Sequence, residues 1–191
     1  MQQTQPALTV RNMAFCALFT VLIIVGAWIR IPTPIVPITL QTLFVCLAGS
    51  ILGSRLGAIS AGLYLVMGLI GIPVFTGGGG LFYVFQPTFG YILGFILGAW
   101  TAGRVIERIA VPELKHFLMA GFLCLLIIYL CGMGYYFVIS RIYLHNPVSV
   151  RTLMLSFFLP FLPGDGIFCI LGAVVAKRIR PLLMRISAEN V

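Results

Sequence analysis

Long apolar stretches, bounded by basic residues or by clusters of proline and glycine, dominate this chain and constrain its fold more than anything else. A spanning helix needs about 20 mostly apolar residues. Six such segments with short connections use up the 191 residues. The charge content agrees: 8% of residues are charged and 61% are hydrophobic, against about 25% charged in a typical soluble domain. The sequence therefore predicts an all-α integral membrane protein, a six-transmembrane-helix bundle forming one membrane domain over 1–191 in the lipid bilayer.

The expected helices run over 12–29, 39–52, 56–70, 87–106, 116–143 and 150–176. Arg11 alone among basic residues precedes the first, and no small-residue cleavage site follows it, so it reads as a retained span rather than a removed signal peptide. Prolines 32, 34 and 37 end it, because proline removes a donor and disfavours helix in the residue before it. Gly53, Ser54 and Arg55 separate helices two and three, which should pack antiparallel. The segments 31–38 and 71–86 are the unusual loops. The last apolar segment is interrupted by Pro160, Pro163, Gly164 and Gly166 and closed by Lys177, Arg178 and Arg180.

Orientation follows from the basic residues. With the N-terminus inside, Arg11, Arg55, Arg104, Arg108, Lys115, Lys177, Arg178, Arg180 and Arg185 lie inside, and only Arg30, Arg141 and Arg151 lie outside. Cytoplasmic loops carry an excess of lysine and arginine, so both termini are expected in the cytoplasm and both unusual loops outside. The net charge of +8 is thus accounted for by span ends. No basic run is interleaved with readout residues, and no nucleic-acid partner is expected.

Small residues recur at four-residue spacing: Gly90, Gly94, Gly98 and Ala102; Gly49 and Gly53; Gly57 and Ala61. Such ladders let helices approach closely in lipid and indicate packing rather than function. Cys16, Cys46, Cys124, Cys131 and Cys169 all lie in apolar stretches without a Cys-x-x-Cys pair and read as small core- or lipid-facing residues.

Enzyme chemistry finds no support. Of the four acids, Glu107, Glu113 and Glu189 lie in links or the tail, and only Asp165 lies in an apolar segment. A carboxylate dyad needs two acids. His116 and His145 sit at opposite helix ends and cannot form a zinc pair, so no catalytic residue, metal or cofactor is assigned. Neither lysine follows glycine in a phosphate-binding loop, so any ATP hydrolysis must belong to a partner.

Asp165 is the exception to be explained. A charge at the centre of a spanning helix costs roughly 2.5–3.5 kcal/mol on insertion scales. The run Pro163-Gly164-Asp165-Gly166 would place it near the N-terminus of a half-helix, where the dipole favours an anion. A ligand or ion contact and a structural cap both remain open. The glycines 77–80 have three readings: a flexible lid, an anion-binding nest of backbone N–H groups, or plain loop. Their aromatic flank, Phe75, Phe82, Tyr83 and Phe85, favours the lid.

The same residues resemble a known family. Ile35-Val36-Pro37-Ile38-Thr39-Leu40-Gln41-Thr42-Leu43 resembles the first-loop signature of the BioY family. Gly71-Ile72-Pro73-Val74-Phe75, the glycine run, Pro87-Thr88-Phe89-Gly90-Tyr91 and Leu162-Pro163-Gly164-Asp165 follow in the family's order, so the resemblance covers nearly the whole chain. It implies the biotin-binding S component of an energy-coupling factor (ECF) transporter in a bacterial cell membrane. It also implies a transmembrane coupling protein and two cytoplasmic ATPases as partners. The pocket would be capped by the loops after helices one and three. On the biotin reading, the substrate contacts expected are Asp165 on the ureido N–H groups, the backbone N–H groups of Gly77, Gly78, Gly79 and Gly80 near the ligand carboxylate with an outer arginine beside them, Gln86 donating to the ureido carbonyl, and Tyr83 and Tyr91. The family's first helix meets the coupling protein through small residues, here Ala14 and Ala17, with Cys16 and Thr20. Phe168 stands where many members have lysine, and Gln86 where many have glycine. Two alternatives stay open: a different small acid as ligand, such as dethiobiotin or lipoate, and a membrane scaffold that transports nothing.

Overall fold

The computed structural model describes residues 9–31, 36–143 and 148–188. The expected loop 31–38 falls partly outside them, and His145 and Glu189 fall wholly outside. Helix α1 spans Val10–Trp28, α2 Gln41–Leu52, α3 Ser54–Leu69, α4 Phe89–Glu107 and α5 Leu114–Ile142. Of these, α1, α4 and α5 are long and apolar enough to cross a membrane. Side chains such as Leu18, Val21, Leu97, Phe122 and Leu130 form an exposed apolar belt around the bundle, as lipid contact requires. The 12 residues of α2 give about 18 Å at 1.5 Å per residue, short of a hydrocarbon core of about 30 Å.

The last segment differs from expectation. A short α6, Val150–Leu153, runs into a π-helical turn, Met154–Phe158, before α7 begins at Leu162 and continues to Ala188. The basic residues at 177–180 do not end it. Arg180 is buried and donates to the Ser50 carbonyl at 2.6 Å, so the helix runs on as a packed element against α2. The unusual loops also hold structure. Strands β1, Arg30–Ile31, and β2, Ile38–Thr39, pair antiparallel with Arg30 opposite Thr39. A 3-10 turn spans Leu81–Phe85.

Gly53 alone joins α2 to α3, at φ +92°, where the expected link was three residues. The reason is a cap supplied by another helix. The Glu107 carboxylate of α4 accepts from the Ser54 N–H and the Ser54 hydroxyl, both at 2.7 Å, satisfying donors that a helix start otherwise leaves free. A Cβ at Gly53 would lie 2.4 Å from Glu107 Oε1. His116 has a similar local duty: its Nδ1 accepts from the Glu113 N–H at 2.9 Å in a capping box that starts α5.

The small-residue ladder of α4 faces α5. A Cβ at Gly90 would approach Tyr135 Cβ to 2.2 Å, and one at Gly94 would approach Ile128 Cα to 2.9 Å. Helices α1 and α3 are joined by a polar contact, with Thr20 Oγ1 donating to the Cys16 and Ser60 carbonyls at 2.8 and 3.0 Å. All five cysteines are free thiols.

Candidate ligand cavity

A cavity opens at the end of the bundle that carries the glycine-rich loop, with about 560 Å³ of empty space when the solvent-filled mouth is included. Seven segments converge on it. Val36, Pro37 and Thr39 come from the first loop, Gln41 and Thr42 from the start of α2, and Tyr64 from α3. The second loop gives Thr76 and Tyr83, Thr88 precedes α4, and α4 follows with Tyr91, Ile92 and Phe95. Ile128 and Tyr129 come from α5, Phe161 from the turn just before α7, and Asp165 from the first turn of α7.

Asp165 lies at the floor. It is in the first turn of α7, 5% exposed, and its own backbone N–H bonds the Phe161 carbonyl at 2.9 Å. Its Oδ2 accepts a hydrogen bond from the Tyr129 hydroxyl. Tyr129 stands thirteen residues before the end of α5 at Ile142, about 20 Å along the helix, so the pair is deep in the bundle. Phe158, from the π-helical turn, meets the Tyr129 ring edge-on at 5.1 Å and fixes its direction. The Tyr91 hydroxyl is buried with no hydrogen-bond partner among the described residues. A buried polar atom left unpaired is costly, and this one borders the open space.

The walls are pre-organised. Gln41 Nε2 donates to Tyr64 Oη at 2.8 Å, and its Oε1 accepts from Thr39 at 3.2 Å. Tyr83 Oη lies 3.1 Å from Thr76 Oγ1 and 2.9 Å from Thr88 Oγ1. The rings of Tyr64, Phe75 and Tyr83 form a chain, at 5.3 and 4.4 Å between centroids. It ties the second loop to α3 above the cavity.

Gln86 and the four glycines of the second loop, expected at the site, lie elsewhere. Gln86 is exposed and does not line the cavity; its N–H bonds the Tyr83 carbonyl at 2.9 Å, which ends the 3-10 turn and turns the side chain outward. The glycine run does not line it either. Gly78 exchanges backbone bonds with Phe75, and the Gly80 N–H bonds the Gly68 carbonyl at 2.7 Å. Two of the four N–H groups are therefore spent on the loop itself, which removes the basis for a four-donor nest. Phe168 is half-buried and lies off the cavity. Tyr129, Thr42 and Gln41, not singled out as contacts from sequence, do line it. Their signal was available: polar side chains within apolar segments.

The whole-chain pattern agrees with the geometry, since the BioY family model matches residues 1–185. The chain belongs to the BioY family. It is 40% identical over 188 residues to the "Probable biotin transporter BioY" of Lysinibacillus sphaericus, covering 94% of this chain and 96% of that one. It is 37% identical over 173 residues to the biotin transporter BioY of Thermotoga maritima, covering 90% and 97%. The fold is that of an S component. The 2.1 Å crystal structure of the S-component for biotin from an ECF-type ABC transporter superposes with a TM-score of 0.80 at 28% identity, over 92% of this chain and 95% of that one. The BioY fold makes the chain a multi-pass membrane transporter component, and this assignment removes the scaffold alternative.

Proposed function

We propose that this chain captures biotin from outside the cell as the binding subunit of an ECF-type transporter, and catalyses no reaction itself. The observation that carries the reading is the buried Asp165–Tyr129 pair at the floor of an otherwise aromatic and hydroxyl-lined cavity in a BioY-family bundle. Biotin's ureido ring presents N–H donors on either side of a carbonyl. A carboxylate is acceptor-only. Tyr129 and Thr42 hydrogen-bond the carboxylate, its remaining lone pairs can accept a ureido N–H, and the unpartnered Tyr91 hydroxyl can donate to the ureido carbonyl, the duty that exposed Gln86 cannot perform. Energy comes from two cytoplasmic ATPases through a transmembrane coupling protein. Ala14 and Ala17 support a docking face on α1, since both are exposed among the apolar residues Met13, Leu18 and Val21, while Cys16 and Thr20 turn inward.

The test is equilibrium binding to the purified chain without partners. Biotin should bind saturably and raise the melting temperature, as any ligand specific to the native state does. Binding of dethiobiotin or lipoate in place of biotin would keep the transporter class and remove the ligand. Orientation is a separate expectation, supported by the distribution of basic residues. Reporter fusions after Val191 should report a cytoplasmic C-terminus, and fusions within the glycine run an external loop. The reverse pattern would put the cavity mouth on the wrong side for uptake.

A further inference from the structure

Biotin carries a carboxylate, yet among the described residues none that lines the cavity is basic. The floor is the least suitable place for that anion, because Asp165 is there and like charges repel strongly where water is excluded. The middle of the cavity, with Ile92, Phe95 and Ile128, suits an aliphatic chain and offers an anion nothing. The mouth is different. There the Thr76, Tyr83 and Thr88 hydroxyls form a connected row, and the backbone carbonyl of Thr76 accepts a hydrogen bond from Arg30 Nη1. Arg30 is also cross-strand from Thr39, another lining residue. It is thus tied to the rim at two places. A guanidinium has five N–H donors in a planar fork and grips a carboxylate through two parallel bonds. The ion pairs among the described residues, Arg104 with Glu107 and Lys115 with Glu113, do not involve it. Arg141, also at this end of the bundle, is stacked over Phe137 at 3.9 Å.

The geometry points to Arg30 as the residue that holds the ligand's carboxylate at the mouth of the cavity, with the Thr76 and Thr88 hydroxyls beside it and the ring end turned inward to Asp165. This rests on the biotin reading above. It gives the chain a cation for the ligand outside α7, where Phe168 supplies none, and it makes the first loop part of the specificity device.

The experiment compares biotin with biotinamide, whose tail is neutral, on the purified full chain and on Arg30→Gln and Arg30→Lys. The wild type should prefer biotin. Arg30→Gln should weaken biotin about tenfold, the loss of one charge-assisted contact at a partly solvated site, and leave biotinamide unchanged. Arg30→Lys should fall between, since lysine keeps the charge but not the fork. The wild-type preference should shrink with added salt, because a charge at the mouth is screened. Equal weakening of both ligands by Arg30→Gln would make Arg30 a support for the Thr76 loop and overturn the assignment. So would a wild type that binds the two ligands equally, even though biotin capture itself would then stand. A wild type that binds neither would remove both readings together.

Discussion

Asp165→Asn is expected to weaken biotin binding roughly ten- to hundredfold without destabilising the empty protein. The substitution preserves shape and changes only what the oxygens and their replacement can do. Asparagine's carbonyl oxygen can still accept from Tyr129, whose hydroxyl now points at Oδ2. The amide NH2 must then stand where the carboxylate's other oxygen met Thr42 and the ligand. A donor would meet the ureido N–H, itself a donor, so the contact is lost and replaced by opposition. Losing one hydrogen bond to a charged group costs about 1.5–3 kcal/mol, which the affinity relation converts to the stated range. Stability should move the other way. A carboxylate that is 5% exposed gives up most of its hydration, and only part of that cost is returned by its hydrogen bonds. The neutral amide avoids it. The measurement is a biotin titration beside a melting curve for each form without ligand. Unchanged affinity would make Asp165 a structural residue of α7. A fall in both quantities would mean that the carboxylate holds the bundle together first and meets the ligand second.

How far the sequence revealed this site depends on which physical signal each residue carried. Asp165 was legible because an acid within an apolar segment violates the bilayer's cost rule, and few roles repay that cost. The six apolar segments were legible for the same kind of reason, since hydropathy reports burial in lipid directly. The direction in which a loop side chain points is not a hydropathy signal. Tyr83 and Gln86 differ by three residues, yet the 3-10 turn between Leu81 and Phe85 sends one into the cavity and the other into solvent. Nothing local announces that turn, because it depends on Phe75 lying over Gly68, where a Cβ would come within 1.9 Å of the ring. Tyr129 and Thr42 carried a signal as polar side chains in apolar segments, but not one that said where they point. Each lies in an otherwise apolar stretch and becomes part of the site only when α2, α5 and α7 meet. The end of α7 shows the limit of charge as punctuation: Lys177, Arg178 and Arg180 mark where the segment stops being lipid-like, but a helix held by Arg180 on Ser50 has no reason to stop there.

The largest structural effect is expected from Gly49→Leu, which should lower the melting temperature by at least about 6–12 °C and broaden the size-exclusion peak. Gly49 is where α2, α3 and α4 come together. A Cβ there would lie 2.2 Å from the Ala99 carbonyl oxygen and 3.0 Å from the Ala102 Cβ, and a Cβ on Gly57 would reach Gly49 Cα at 2.7 Å. The obstruction is largely backbone, which cannot rotate away as a flexible side chain can. Helix α4 cannot withdraw either, because Gly94 and Gly98 hold it at similarly short range on Ile128 and Cys124 of α5. Overpacking a core costs about 1–3 kcal/mol and more where nothing can shift. At roughly 2–4 °C per kcal/mol for a chain of this size, about 3 kcal/mol gives the lower bound. Lipid offers no compensation, since leucine is no better solvated between helices than facing acyl chains, and close packing is what holds such bundles together. Gly62→Ala and Gly134→Ala are the controls: neither Cβ would meet a heavy atom within 4 Å, and alanine is the better helix former, so both should melt at or above the wild-type temperature. The effect should also reach the ligand, because α2 carries Gln41 and Thr42 at the cavity wall and tilts with Gly49. A Gly49→Leu protein that melts with the wild type would mean that α2 and α4 are not packed this closely in the membrane, and the depth and shape of the cavity between them would have to be redrawn.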